Sequence, residues 1–167
     1  MKQKHPHIKT LISVGGWTWS KYFSDVALTA DSRAKFVTSC VNFMKQYSFD
    51  GIDIDWYIFF SKKINFFFLK VKKKKKKKKK QSNENNFFFF FTKREYPVEG
   101  GLPDNIYRPE DGTNHALLMA KFREELDKLS EQHYLLTIAA PAGASKYRHL
   151  ILPELAKSLD FVHFLFY

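Results

Sequence analysis

Apolar residues recur along this chain at two spacings, one typical of strands and one typical of helices. Residues 8–14 are a short, mainly apolar run stopped by Gly15 and Gly16, which predicts a buried strand. Residues 29–32 offer oxygen atoms that can cap a helix, and apolar residues then recur at helical spacing. They are Phe36, Val37, Cys40, Val41, Met44 and Tyr47. Residues 49–56 alternate strictly in their second half, so they predict a second strand with acidic and apolar residues on opposite faces.

The same two spacings continue in the C-terminal part of the chain. Residues 95–111 are rich in Pro, Gly, Asp and Asn and predict a long loop, after which Thr113 can cap a helix. The apolar stripe of that helix is Leu118, Phe122, Leu126 and Leu129. Residues 134–140 predict a buried strand, residues 150–158 a short helix and residues 161–167 a last strand. This order predicts βα units with a parallel sheet, as in half of a (β/α)8 barrel, with an open doubly wound sheet as the alternative.

Composition separates residues 57–94 from the rest of the chain. This segment holds fourteen of the 28 basic residues against one acid, Glu84, and ten of the 18 Phe residues. The formal net charge of +11 therefore arises here, and the remainder of the chain carries −2. The nine consecutive lysines at 72–80 predict disorder, and the Phe runs predict aggregation. The functional alternative is a basic loop that binds nucleic acid or a membrane. We disfavour it because disordered lysine runs and aggregating Phe runs do not form a defined binding site.

Three further features limit the class of protein. A single cysteine, Cys40, excludes a disulfide within this sequence. Residues 1–7 lack the apolar stretch of a signal peptide. No apolar run approaches the roughly 20 residues of a membrane-spanning helix.

Two acidic residues share one face of the strand predicted at residues 49–56. Because Ile52, Ile54 and Trp56 occupy the alternate positions, Asp53 and Asp55 point together to the other side. Burying adjacent carboxylates is costly unless they share a proton or have partners, and such a cost is normally tolerated for function. The alternative is that these acids, near a strand end, are solvated loop residues or helix caps.

The residues around this acidic pair resemble those of the glycoside hydrolase family 18 chitinases. Residues 50–56, Asp-Gly-Ile-Asp-Ile-Asp-Trp, are similar to the family signature Asp-Gly-x-Asp-x-Asp-x-Glu. Residues 13–16, Ser-Val-Gly-Gly, resemble a second signature, Ser-x-Gly-Gly, and residues 136–141 resemble the family's fifth strand. Tyr167 falls where the sixth strand carries Met-x-Tyr-Asp, although Leu165 replaces the Met. The resemblance implies a partial (β/α)8 barrel that covers about strands 3–6.

The first signature breaks where the family carries its catalytic Glu. Tyr57 takes that position, and the family's continuation Glu-Tyr-Pro resumes only at Glu95. Joining Trp56 to Glu95 restores Asp-Gly-Ile-Asp-Ile-Asp-Trp-Glu-Tyr-Pro without a gap. The codons possible at both ends of the segment can also supply a splice donor and a splice acceptor in the same phase. We therefore interpret residues 57–94 as a translated intron. We expect catalysis by the literal chain, which is the 167-residue sequence with this segment retained, to be impaired because its acid is displaced.

The resemblance also implies an activity and assigns residues to it. Residues 1–56 and 95–167 would form part of a catalytic domain that hydrolyses β-1,4-linked N-acetylglucosamine polymers, with the substrate's own N-acetyl oxygen as nucleophile. Glu95 would be the general acid, Asp55 would orient the acetamido group, and Asp53 would share a proton with Asp55. The residues expected to contact sugars are Gly15, Gly16, Trp17, Thr18, Trp56, Tyr96 and Tyr167.

The partners implied by the resemblance are chitin or chito-oligosaccharides. It implies an extracellular monomer that needs no metal and no cofactor, with neither nucleic acid nor a membrane as a partner. The alternative from another class is a non-catalytic chitin-binding lectin of the same fold, since some family members lose the acid and keep the sugar cleft.

Overall fold

The computed structural model describes residues 4–5, 7–56, 58–59, 94–95, 104–129, 131–141 and 147–165. The expectations for Tyr96, for Tyr167 and for residues 60–93 lie outside this part of the chain. The described helices and strands, in chain order, are β1 (Leu11–Gly15), α1 (Phe23–Leu28), α2 (Ala30–Gln46), β2 (Gly51–Asp55), β3 (Ile58–Phe59), β4 (Arg94–Glu95), α3 (Asp111–Asp127), β5 (Leu135–Pro141), α4 (Leu152–Leu155) and β6 (Phe161–Leu165).

A parallel sheet of four strands, in the order β1-β2-β5-β6, organises the molecule. The order of these four strands across the sheet is the same as their order along the chain. The described sheet therefore has no reversal of strand order of the kind found in doubly wound folds. The helices pack in sequence too, because α1 contacts α2 and α3, and α3 contacts α4. The predicted α/β architecture with a parallel sheet is confirmed.

The apolar alternate positions of the central strands form the core beneath the helices. Ile52, Ile54 and Trp56 of the β2 segment are fully buried, as are Leu136 and Ile138 of β5. Full burial of one such aliphatic side chain stabilises the fold by roughly 1.5–3 kcal/mol. The opposite face of the same strands is therefore free to carry polar groups.

Helix α2 begins where the capping oxygens predict. Thr29 is its N-cap, and the Thr29 and Ser32 side chains each bond the other residue's backbone N–H. The predicted apolar stripe is buried at Val37, Cys40, Val41 and Met44. The Tyr47 side chain differs from the prediction, since it lies beyond the last helical turn and is exposed. Burial raises the pKa of the Cys40 thiol to about 12, which keeps this sulfur protonated and unreactive.

Helix α3 begins at Asp111, so the prediction that Thr113 caps it is wrong. The Asp111 carboxylate accepts a bond of 2.7 Å from the Arg108 backbone N–H and one of 2.8 Å from the Ser24 hydroxyl. Burial raises the pKa of Asp111, although these bonds and the Arg108 charge oppose the shift. Arg108 also donates to Ser24 and to Asp25, so this network ties the start of α3 to α1, a helix that the sequence did not predict.

The first residues of the basic segment, residues 57–94, form a short antiparallel pair with the backbone at its end. Strands β3 and β4 align Ile58 with Glu95 and Phe59 with Arg94. The chain therefore leaves the sheet after β2 and returns next to the position at which it left. None of the described helices combines the length and the apolar composition that crossing a bilayer requires.

Candidate active site

Two carboxylates lie together on the polar face of β2. Asp53 and Asp55 are both partly buried, while their neighbours Ile52 and Ile54 are fully buried on the other face. This is the arrangement that strand alternation predicts. Residues two apart on a strand are spaced about 6.6 Å along it, so the two side chains are neighbours on this face.

Hydroxyl groups from both neighbouring strands hold Asp53. The Ser13 hydroxyl of β1 donates to Oδ2 at 2.9 Å, and the Thr137 hydroxyl of β5 donates to Oδ1 at 2.6 Å. These contacts follow from the register, which places Ser13 and Thr137 directly beside Asp53. On β6 the Nε2 atom of His163 lies 3.9 Å from Oδ1. Three strands thus contribute groups that face one carboxylate.

Asp55 has a different environment from Asp53. Burial raises the pKa of Asp55, and the nearby Asp53 charge raises it further. Its Oδ1 atom is buried and has no hydrogen-bond partner among the described residues. A carboxyl group in this situation keeps its proton to a higher pH than an exposed aspartic acid does. Two carboxyl groups of one strand therefore have environments suited to different roles.

The turn after β1 is fixed to the end of β2. The Gly16 N–H donates to the Asp55 carbonyl oxygen at 2.8 Å. The buried Ser20 hydroxyl lies 2.6 Å from the Gly16 carbonyl oxygen and 3.1 Å from that of Asp55. Gly15 has φ of +110°, and a Cβ atom there would lie 2.3 Å from the Asp55 carbonyl oxygen. Only glycine fits this contact between the two strands.

The predicted sugar-contacting aromatic residues fall on different sides of the sheet. Trp17 and Thr18 follow the Gly16 turn at the carboxyl end of β1 and are exposed, as is Trp19. Trp56 does not lie where a sugar-contacting residue is expected. Its ring is fully buried on the helix side of the sheet, away from the carboxylates, with 5.4 Å between its centroid and that of the Phe23 ring. It packs into the core and offers no surface to a ligand in this structure.

Glu95 does not directly follow Trp56 in this structure. It lies in β4, opposite Ile58, which stands two residues beyond Trp56. The structure therefore brings together Asp53, Asp55 and the Gly15–Gly16 turn, but it does not continue β2 directly into the predicted acid. In the family signature the acid stands two residues after Asp55, a position that Tyr57 takes in this chain.

Sequence reasoning missed three polar residues of the site. Ser13 and Thr137 lie in motifs that indicate no role for them, and the pattern around His163 indicates only a strand. A signal was available for all three, because each stands on a predicted strand at a position that alternates with apolar neighbours. Their proximity to Asp53 depends on strand order and register, which the sequence alone does not give.

Comparison with known proteins decides the family. The sequence profile of the glycosyl hydrolases family 18 matches residues 1–167. This chain belongs to glycosyl hydrolase family 18. It is 38% identical over 170 residues to chitinase A1 of Niallia circulans, covering 100% of this chain and 19% of that protein. It is 33% identical over 172 residues to endochitinase 1 of Metarhizium anisopliae, covering 100% of this chain and 30% of that protein.

Solved structures of the family share the fold. Chitinase ChiA74 from Bacillus thuringiensis superimposes with a TM-score of 0.72 at 34% identity, covering 98% of this chain and 21% of that one. This family 18 chain thus spans about a fifth to a third of the length of the chitinases it matches here.

Proposed function

We propose that the protein hydrolyses β-1,4 linkages between N-acetylglucosamine residues by a substrate-assisted, retaining mechanism. The observation that carries this proposal is the pair on β2, in which Asp55 is partly buried with a raised pKa while hydroxyl groups hold Asp53. Family membership supports the reaction class, since family 18 enzymes use the substrate's own acetamido group as nucleophile. Such a reaction requires a protonated acid and a second carboxyl group that orients the acetamido group.

Each carboxyl group has its own part in this mechanism. Glu95 protonates the glycosidic oxygen as the bond breaks and later removes a proton from the attacking water. Asp55 orients the acetamido group and stabilises the positive charge that develops on it. Asp53 exchanges a proton with Asp55, and its contacts with Ser13 and Thr137 keep its carboxylate in place during that exchange.

The proposed substrate is chitin or a chito-oligosaccharide bound at the carboxyl ends of the strands. Gly15, Gly16, Trp17 and Thr18 lie at that end of β1, and Tyr96 and Tyr167 complete the proposed set. Trp56 is not included, because its ring is buried on the opposite face. We further propose that this chain is about four strands of a (β/α)8 barrel, and that the complete protein is an extracellular monomer whose partners include neither nucleic acid nor a membrane.

The working protein, in this proposal, lacks residues 57–94. We call this the joined form, in which Glu95 directly follows Trp56. Its acid would occupy the next position on the Asp53–Asp55 face, about 6.6 Å beyond Asp55 along the strand. The side-by-side position of Ile58 and Glu95 supports the proposal, because the chain returns close to the point at which the segment begins.

The proposal is tested first on the transcript and then on the protein it encodes. Amplification across the junction should give a dominant product that encodes Trp56 followed by Glu95. In the full-length joined form, Glu95→Gln should lower hydrolysis of a chito-oligosaccharide by about 10²–10⁴-fold. Binding of the same oligosaccharide, measured by calorimetry, should change little because an amide keeps the shape of the acid.

Three results would contradict parts of this proposal. Glu95→Gln activity within a few-fold of the wild type would remove Glu95 from the acid role. A dominant transcript that retains the lysine codons, with hydrolysis by the protein it encodes, would show that the segment belongs to the enzyme. Oligosaccharide binding without any hydrolysis by the joined form would instead favour the lectin alternative.

A further inference from the structure

The hydroxyl of Ser20 closes the turn that follows β1. Ser20 is 1% exposed, and its Oγ atom lies 2.6 Å from the carbonyl oxygen of Gly16 and 3.1 Å from that of Asp55. A hydroxyl carries a single proton, so Ser20 shares it between these two backbone acceptors. The first acceptor stands four residues earlier, at a spacing that serine side chains commonly bond. The second belongs to the last residue of β2. Ser20 therefore joins the turn to the strand that carries the carboxylate pair.

The place of this hydroxyl is fixed by the backbone on both sides of it. The Gly16 N–H donates to the Asp55 carbonyl oxygen at 2.8 Å, so Gly16, Ser20 and Asp55 form a closed set of hydrogen bonds. The carbonyl oxygen of Ser20 accepts a bond of 3.1 Å from the N–H of Phe23, the first residue of α1. The hydroxyl thus lies where the turn, β2 and α1 meet.

Residues 17–19, which lie between Gly16 and Ser20, carry two indole rings. Trp17 is 39% exposed and Trp19 is 80% exposed. An indole ring offers a large contact area with only two rotatable side-chain bonds, so the position of such a ring depends mainly on the backbone that carries it. A ligand that contacts a loosely held segment must order it on binding, and this ordering lowers its affinity. A fixed turn therefore binds more tightly than a mobile one that has the same side chains.

We propose that Ser20 is a positioning residue for sugar binding, whose hydroxyl fixes the turn of residues 17–19 relative to Asp55. The inference rests on the proposed function, in which Trp17 and Thr18 contact the sugar and Asp55 orients its acetamido group. A sugar that contacts both the turn and Asp55 requires a fixed separation between them. Ser20 sets that separation because its one proton is shared between the turn and the Asp55 backbone. Ser20 itself touches no substrate, since its side chain is buried.

Loss of this hydroxyl should weaken binding more than it slows the chemical step. In Ser20→Ala, Asp55 keeps its place because β2 still pairs with β1 as far as Asp55 and the Gly16 N–H still donates to its carbonyl oxygen. The turn loses its side-chain bond to the strand, so the sugar must order the turn on binding. We expect KM for a chito-oligosaccharide to rise about three- to tenfold, with kcat within about twofold of its original value.

The first experiment measures kcat and KM of Ser20→Ala in the full-length joined form, together with the Kd of the same oligosaccharide by calorimetry. Ser24→Ala is the matched control, since Ser24 is also a buried serine whose hydroxyl bonds a distant group, Asp111, but it lies on α1 outside the site. This control should lose stability without a change in KM or Kd. Unchanged KM and Kd in Ser20→Ala would overturn the inference, as would an equal rise in Ser24→Ala.

A second experiment tests the position of the turn without depending on hydrolysis. Amide hydrogen exchange, measured by mass spectrometry on the joined form, should become about fivefold faster in the peptide that covers residues 16–20 of Ser20→Ala. The peptide that covers α2 should not change. Equal exchange of residues 16–20 in Ser20→Ala and in the unsubstituted protein would overturn the inference.

The unsubstituted joined form separates this inference from the proposed function. Oligosaccharide binding without hydrolysis would overturn the proposed function, while the Kd of Ser20→Ala would still establish or reject the role of Ser20. Absence of both binding and hydrolysis would overturn the two together.

Discussion

Replacing Gly15 by alanine tests the contact between the turn after β1 and the end of strand β2. Gly15 has φ of +110°, and the added Cβ atom would lie 2.3 Å from the Asp55 carbonyl oxygen and 3.0 Å from the Phe23 ring. The first of these neighbours is backbone in the sheet, so it cannot turn aside as a flexible side chain would. Strands β1 and β2 would have to separate by about 0.7 Å to restore a contact of 3.0 Å.

The cost of Gly15→Ala has two parts. A side chain in this backbone region costs about 1–3 kcal/mol. Separation of the strands also stretches the 2.8 Å bond from the Gly16 N–H to the Asp55 carbonyl oxygen, which contributes about 0.5–1.5 kcal/mol. We expect the free energy of unfolding to fall by about 2–4 kcal/mol, with kcat lowered as well because Asp55 moves.

Gly16→Ala is the matched control for this prediction. Gly16 also has positive φ, +84°, but a Cβ atom there meets only Asp55 Oδ2 at 3.7 Å, which is an ordinary contact. Its cost should be the backbone term alone, about 1–2 kcal/mol. Urea denaturation of both variants in the full-length joined form measures the difference. If Gly15→Ala costs no more than Gly16→Ala, the close contact with Asp55 does not determine the requirement for glycine.

Two further predictions concern stability. His115 is fully buried, and burial lowers its pKa from 6.5 to about 4. The unfolded chain therefore binds this proton first, so stability should fall by about 3 kcal/mol between pH 6.5 and pH 4 and level off below. In His115→Phe the loss of stability over this pH range, measured by urea denaturation, should be smaller by that amount than in the unsubstituted protein. Equal losses in the two proteins would contradict the prediction. Thr29→Ala removes the cap of α2 and should cost about 1 kcal/mol in the same assay, whereas no loss would mean that Ser32 caps the helix alone.

The sequence predicted the fold well wherever an element carries its own local signal. Thr29 and Ser32 mark the start of α2, and the alternation in residues 50–56 separates the two faces of β2. Where the determining contact lies far along the chain, local signals failed. At the start of helix α3 the Asp111 carboxylate accepts a local bond from the Arg108 N–H and a second bond from Ser24, 87 residues earlier, and no local pattern contains the second contact.

In the candidate site, too, the positions that follow from local alternation were predictable and those that depend on distant strands were not. The alternation placed Asp53 and Asp55 on one face, which the structure confirms. The same alternation places Trp56 on the other face, and it was assigned to the sugar by resemblance alone. His163 required the order and register of β2, β5 and β6, since it stands 110 residues from Asp53.

The contacts at the end of β2 bear on how the basic segment affects function. Trp56, the last described residue before the segment, packs between Phe23 of α1 and His115 of α3, at 5.4 and 5.3 Å between ring centroids. On the other side Gly16 bonds the Asp55 backbone. The end of β2 is therefore held by residues that lie outside the segment 57–94. The Asp53–Asp55 pair is thus formed with residues 57–94 present. If Glu95 is the acid, as proposed above, the chain that retains this segment should lose catalysis while it keeps the shape of the carboxylate site.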